Sequence, residues 1–190
     1  MKIGKTLYIS NRKKWRAWLS KNHSRAKEIW LIYPRKYTGQ PRLGYADAVE
    51  EALAFGWIDS QVKNIDRAKF AQRFSPRKPT SSWSEANLAR MRRLIRQGKM
   101  TKVGLAALKN RALLKKKQKL EIAPATLQAL KHDKTVWRNF QRFPLNYRTI
   151  RIAYIEGGRR HGTAEYKKRL TNFIKKTRAN IMFAFGGVQK

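Results

Sequence analysis

The sequence predicts an α+β protein: a small antiparallel sheet with N-terminal helices, followed by a helical C-terminal half. Three observations predict it. Trp57–Lys63 and Lys69–Ser75 alternate apolar and polar residues with period two, as half-buried strands do. Ile29–Tyr33 is apolar on both faces, as an inner strand is. Beyond Ser84, apolar residues recur at helical spacing as far as Ile174.

Leu7–Ile9 opens the chain as a short strand. Ser10 is read as the N-cap of a helix through Ser20, with Trp15, Trp18 and Leu19 on its core face. Pro34 ends the ladder of the inner strand, and Tyr37–Gly44 forms a loop. A helix then runs from Tyr45 to Phe55. Its apolar stripe is Ala46, Val49 and Leu53, and Gly56 stands where a C-cap glycine belongs. Asp47, Glu50 and Glu51 cluster on this helix. The residues are read as a solvated face favoured by the helix dipole rather than as an acid–base couple.

The two alternating runs make a hairpin around Asn64–Ala68, whose residues are turn-prone. A turn centred near Asp66 sets Ile58 against Phe74, Val62 against Phe70, and Asp59 against Arg73. Asp59 and Arg73 are then a cross-strand pair beside Trp57, either structural or the wall of a polar pocket. Pro76 and Pro79 close the second strand, and Ser82–Glu85 fits a capping box with Ser82 or Ser84 as N-cap. That helix start lies near Arg73, Arg77 and Lys78. It reads either as ordinary capping or as an anion site.

The remaining helices follow. One runs from Glu85 to Gly98 with Leu88, Met91 and Ile95 on its apolar face. The next is capped by Thr101, with Val103, Ala107 and Leu114 as its spine. Pro124 suits a helix N1 position. Val136, Trp137 and Phe140 mark another helix, stopped near Pro144. Tyr147, Ile150 and Tyr154 mark the one after it. Thr163 is read as the cap of the last helix, whose core residues are Tyr166, Leu170, Phe173 and Ile174. The tail contains Phe183 and Phe185, both expected to be buried. The shift in pattern near Pro79–Ser84 divides the chain into a mixed half, 1–83, and a helical half, 84–190, expected to pack as one unit.

Several stretches resemble the YdeI/OmpD-associated family, also called bacteriocin-protection proteins. They are Ala48–Leu53, Phe55–Asp59, Arg73–Pro79 and Ser82–Ser84 with Asn87. Trp15, Trp18-Leu19, Asn22-His23 and Glu28–Trp30 are similar to the family's N-terminal part, and Leu127–Leu170 forms a third block. The chain departs from the pattern at Tyr33-Pro34 and around Thr163. The resemblance implies a non-enzymatic stress or peptide-protection role. With the hairpin reading, it nominates Trp57, Asp59, Arg73, Arg77, Lys78, Trp83 and Asn87 as a polar site for an anionic ligand.

Charge is the strongest feature of the composition. Lys and Arg number 45 against 11 Asp and Glu, a formal net charge of +34. A small domain usually carries about 2–8 charges in excess. Nucleic acid, anionic lipid and polyphosphate are candidate partners; a generally basic proteome is the bland explanation. Between Gln61 and Leu120 there are 18 basic and 2 acidic residues. This segment nominates Arg90, Arg92, Arg93, Arg96, Lys115, Lys116 and Lys117 for sequence-indifferent contact with phosphates. Arg90, Arg92, Arg93 and Arg96 are expected mostly to face solvent or an anion. The chain has no cysteine, which excludes disulfides and thiolate metal sites. Its three histidines are widely spaced, so no metal site, cofactor site or catalytic constellation is expected. No apolar run reaches membrane-spanning length, and a cytoplasmic location is expected.

Overall fold

A computed structural model describes residues 2–115 and 119–183. The fold is α+β, as the patterns predict. It divides into two compact units, Met1–Ser82 with Asn87–Leu114, and Trp83–Ala86 with Lys115–Lys190. The expected boundary at 83/84 therefore moves: the helices after the hairpin belong largely with the sheet.

In the first unit, strands β1 (Thr6–Tyr8), β2 (Ile29–Pro34), β3 (Trp57–Asn64) and β4 (Lys69–Pro76) form one sheet in the order β1-β2-β4-β3. β2 is an inner strand, as its two apolar faces predict. β1 pairs with it in parallel, so the sheet is mixed where an antiparallel one was expected. Helix α1 (Arg12–Asn22) starts one residue later than expected. Asn11, not Ser10, is its N-cap, accepting from the N–H groups of Lys13 and Lys14. Helix α2 (Tyr45–Ala54) packs on α1. Trp15 and Trp57, both fully buried, satisfy their indole N–H groups on Ala48 O at 3.0 Å and His23 O at 3.1 Å.

The hairpin turn forms where expected. The Asp66 carboxylate accepts from the N–H groups of Ala68 and Lys69, the local bond that makes aspartate a turn residue. The register differs from expectation. Asp59 pairs with Phe74 and Ile58 with Ser75, and beyond a β-bulge Val62 pairs with Gln72. Ser60 and Gln61 together oppose Arg73 at that bulge. Side chains alternate along a strand, so Asp59 shares a face with Phe74 and Arg73 points to the other face. This corrects the expected Asp59–Arg73 pair. Val62, expected to be buried against Phe70, is exposed.

Helix α3 (Glu85–Arg96) buries Leu88, Met91 and Leu94, while Ile95 faces out. The single helix expected after Thr101 is two short ones, α4 (Lys102–Ala106) and α5 (Ala112–Lys115). Thr101 caps α4 as predicted, but Val103 is exposed and Leu108 takes the buried place. Gly56, at φ +75°, turns the chain from α2 into β3 in the left-handed conformation that favours glycine.

The second unit contains α6 (Pro124–Lys131), α7 (Lys134–Arg142), α8 (Leu145–Glu156) and α9 (Thr163–Arg178). Thr163 is the first residue of α9, and Gly162 takes the N-cap position expected for it. The core is built from Leu130, Val136, Phe140, Tyr147, Ile155 and Phe173, among others. Tyr154, expected on the apolar face of α8, is exposed beneath the Arg169 guanidinium. Phe183 is partly buried against this core, with its N–H on the Tyr147 hydroxyl at 3.1 Å. Phe185 lies outside the described residues. Among the described residues no helix is long and apolar enough to cross a membrane.

Gly104 shows how closely α4 approaches the end of α2. A Cβ there would lie 2.2 Å from Ala54 O, a backbone atom that also accepts from the Thr101 hydroxyl at 2.6 Å. Gly104→Ala is expected to lower unfolding stability by roughly 1–3 kcal/mol, as overpacking does. Urea denaturation with an unchanged midpoint would show that the α2–α4 contact is looser than described.

Candidate functional site

Of the acidic residues of α2, Asp47 is half-exposed but Glu50 and Glu51 are not solvated. Glu50 and Glu51 are 6 and 3 % exposed. Burying a carboxylate without a partner costs several kcal/mol, so such groups require cations. Arg12, in the first turn of α1, supplies one. It donates to Asp47 at 2.5 Å, Glu51 at 2.6 Å and Glu50 at 3.1 Å. Arg16 bonds Glu51 at 2.6 Å, and Arg93 of α3 bonds Glu50. Burial works against the charged form of Arg12, but the hydrogen bond and charge of Glu51, with Asp47 and Glu50, hold its proton more firmly than usual. The cluster is thus a structural clamp of three carboxylates and three arginines.

Beside the clamp, on the Phe74 face of the sheet, lies a second polar cluster with a different balance. Its members are Tyr33 of β2, Tyr45 at the start of α2, Asp59 of β3, Arg77 after β4, and Asn87 and Arg90 of α3. Tyr45 donates to Asp59 Oδ2 at 2.6 Å. Arg90 donates from Nη1 to Asn87 Oδ1 at 2.8 Å, three residues back on the same helix. Arg77 reaches the Ser82 carbonyl at 2.6 Å. Asp59 is the carboxylate whose charge acts on both Arg77 and Arg90. Arg77 and Arg90 both feel Asp59, Arg90 also feels Glu50 of the clamp, and Asp59 is held by a tyrosine hydroxyl.

Burial dominates the electrostatics here. It pulls the Arg90 and Arg77 guanidinium pKa values below the ordinary arginine value, against the opposing charge of Asp59. It drives the Tyr33 and Tyr45 phenols far above theirs, with the Asp59 carboxylate adding to the effect. Both phenols are therefore hydrogen-bond donors at neutral pH. Arg90 is 6 % and Tyr33 is 3 % exposed. The Arg90 Nε and the Tyr33 hydroxyl are buried without a hydrogen-bond partner. Such groups are rare because each forfeits the hydration that a partner would replace.

The structure redistributes the nominated residues. Asp59, Arg77 and Asn87 come together. Arg73 does not join them: on the opposite face it pairs with Glu28 at 2.6 Å and reaches Ser60 at 3.1 Å. That partnership, with the Trp30 indole, lowers the Glu28 pKa below the usual carboxylate value. Trp57 is core, 1 % exposed and edge-on to Trp18, so it is no pocket wall. Lys78 is exposed, and Trp83 falls in the second unit. Tyr33, Tyr45 and Arg90 were missed as partners of Asp59. A tyrosine at a helix start and another ending a strand read simply as amphipathic residues.

Three of the arginines nominated for phosphate contact have partners within the fold. Arg90 is buried in the polar cluster, Arg93 belongs to the clamp, and Arg92 donates to the carbonyls of Leu113 and Leu114 at 2.8 and 3.0 Å. Their donors stabilise the fold, because buried carboxylates and helix-end carbonyls require them more strongly than solvent attracts them. Arg96 and Lys115 are exposed; Lys116 and Lys117 lie outside the described residues. Among the described residues no group of three or more His, Asp or Glu is arranged to hold a metal ion.

The raised phenols make a pH prediction. Tyr33 and Tyr45 stay protonated in the fold above the ordinary tyrosine pKa of 10.0, whereas the unfolded chain ionises there. The folded state then binds more protons, so their contribution is complete below pH 10 and declines as pH rises beyond it. Urea midpoints measured at about pH 8 and about pH 11 should fall more steeply for the wild type than for the Tyr33→Phe/Tyr45→Phe variant. Parallel falls would mean that neither phenol is held protonated.

No curated protein and no solved structure matches this chain. A family model does. Domain of unknown function (DUF8412) matches residues 7–107, a span from β1 through α4 that contains the clamp and every member of the polar cluster. Matched over more than half of its length, the chain belongs to that family.

Proposed function

We propose that the sheet unit binds a small anion at the Tyr33–Tyr45–Asp59–Arg77–Arg90 cluster, as a binding protein and not an enzyme. One observation carries this reading: Arg90 Nε and the Tyr33 hydroxyl are buried donors without a hydrogen-bond partner, in a cluster where Tyr45 and Asp59 act on both residues. A carboxylate or phosphate oxygen would supply the missing acceptor, and charge-assisted bonds to guanidinium are about twice as strong as neutral ones. The partly buried Asp59, Arg77, Tyr45 and Asn87 give such a ligand a polar approach to the buried pair. Tyrosines held as donors suit recognition of an anion and do not suit a general base. The resemblance to bacteriocin-protection proteins supports the same kind of role, a cytoplasmic binding protein in stress or peptide protection.

The reading also assigns Asp59 a part. Its carboxylate competes with the ligand for Arg77 and Arg90, and Tyr45 restrains that competition by bonding it. Isothermal titration of the full chain with inorganic phosphate and with acetate should show saturable binding of at least one. Asp59→Asn should bind more tightly. Arg77→Gln should bind about tenfold or more weakly, the loss expected for a hydrogen bond to a charged group of roughly 1.5–3 kcal/mol. Affinities unchanged in both variants, with the fold intact by circular dichroism, would refute the assignment.

A further inference from the structure

The second unit has a different surplus of charge. Between Lys119 and Phe183 there are fifteen Lys and Arg against four Asp and Glu, a surplus of eleven. All four carboxylates are already paired within the unit: Glu121 with Lys119, Asp133 with Arg178, Glu156 with Arg159, and Glu165 with Arg169.

The placement of the cations is ordered on α7. Val136, Asn139 and Phe140 form its buried side. Lys134, Arg138 and Arg142, at steps of four residues, are all exposed on the other side. At 1.5 Å rise per residue they span about 12 Å along the helix. One strand of a duplex advances about 3.4 Å per phosphate, so three or four phosphates fit that length. The C-terminal end of α9 meets the buried side of α7. Asn139 donates from Nδ2 to the carbonyls of Thr177 and Arg178 at 3.0 and 3.3 Å, and Arg178 holds Asp133 at 2.9 Å. Asp133 also accepts from the Thr135 and Val136 N–H groups, so the single acid beside the stripe is fully engaged. Lys131 lies over the Trp137 ring at 5.4 Å and adds a further exposed charge at the start of α7.

We propose that this outer face of α7 is a nucleic-acid phosphate-binding surface. Nucleic acid is favoured over a membrane because the three stripe positions are all cations, Val136 and Phe140 are fully buried, and Trp137 is partly buried against the core beneath Lys131. A helix that lies in a lipid interface must present apolar residues. The surface reads no bases, since its donors are long cations spaced to follow a backbone.

The test is fluorescence anisotropy of a labelled duplex titrated with the full chain from about 50 to 200 mM salt. Three proteins are compared: the wild type, Lys134→Gln/Arg138→Gln/Arg142→Gln, and Lys13→Gln/Lys14→Gln/Lys21→Gln. The last removes equal charge from exposed positions on α1. The wild type should bind with a steep salt dependence. The α7 variant should lose roughly two to three units of the slope of log K against log salt, and the α1 variant should keep the wild-type slope. Equal losses in both variants would overturn the proposal in favour of diffuse attraction. Absence of binding at low salt would also overturn it, as would binding to phosphatidylserine vesicles with the duplex left free.

Discussion

The sheet unit depends on a shortage of acid. Glu50 and Glu51 lie buried in mid-helix, and a buried carboxylate without a partner destabilises a fold by several kcal/mol. The partners they recruit come from both sides: Arg12 and Arg16 from α1, and Arg93 from α3. Three helices are thus fixed to each other by charge as well as by apolar contact. Arg16 also donates to the Lys99 carbonyl at 3.1 Å, just beyond α3. The clamp takes three of the six carboxylates of the sheet unit, Glu28 pairs with Arg73, and Asp66 forms the hairpin turn. That leaves Asp59, tied to Tyr45, acting on Arg77 and Arg90.

The polar cluster follows from that imbalance. In a protein with 45 basic and 11 acidic residues, burying any cation tends to strand it. Where acids are available, the arginines are satisfied, as Arg73 is by Glu28. Where none remains, a backbone carbonyl serves, as for Arg92. Arg90 has the side chain of Asn87 on one nitrogen and nothing on Nε. Tyr33, which like Arg90 acts on Tyr45, also has a buried hydroxyl without a hydrogen-bond partner. A site that is incomplete in its own hydrogen bonds is poised to gain free energy from a ligand that completes them.

Much of the fold was legible in the sequence because it rests on periodicity and on residues with fixed backbone habits. The two apolar faces of Ile29–Tyr33 placed an inner strand, Asp66 placed the turn, and Gly56 and Thr101 marked helix ends. The β-bulge was not legible. Ser60 and Gln61 carry no glycine or proline to announce it, yet it decides which face Asp59 occupies. The site was legible in part. Asp59, Arg77 and Asn87 were found as polar residues near the hairpin and the following helix. Arg90 was misread because an arginine on a basic helix has no local mark of burial. Its environment is made by Tyr45, forty-five positions earlier, and by Asp59 on β3. The burial of Glu50 and Glu51 was equally hidden, since it requires Arg12 to stand beside α2.

The central claim is that an anion completes the buried donors of Arg90 and Tyr33. Crystals grown or soaked in sodium bromide, measured at the bromine absorption edge, locate anions without assuming which one is natural. The account predicts an anomalous peak within hydrogen-bonding distance of Arg90 Nε or the Tyr33 hydroxyl, persisting at bromide concentrations too low to decorate the exposed lysines. Peaks confined to the exposed cations, with the Tyr33–Arg90 cluster empty at every concentration, would contradict it.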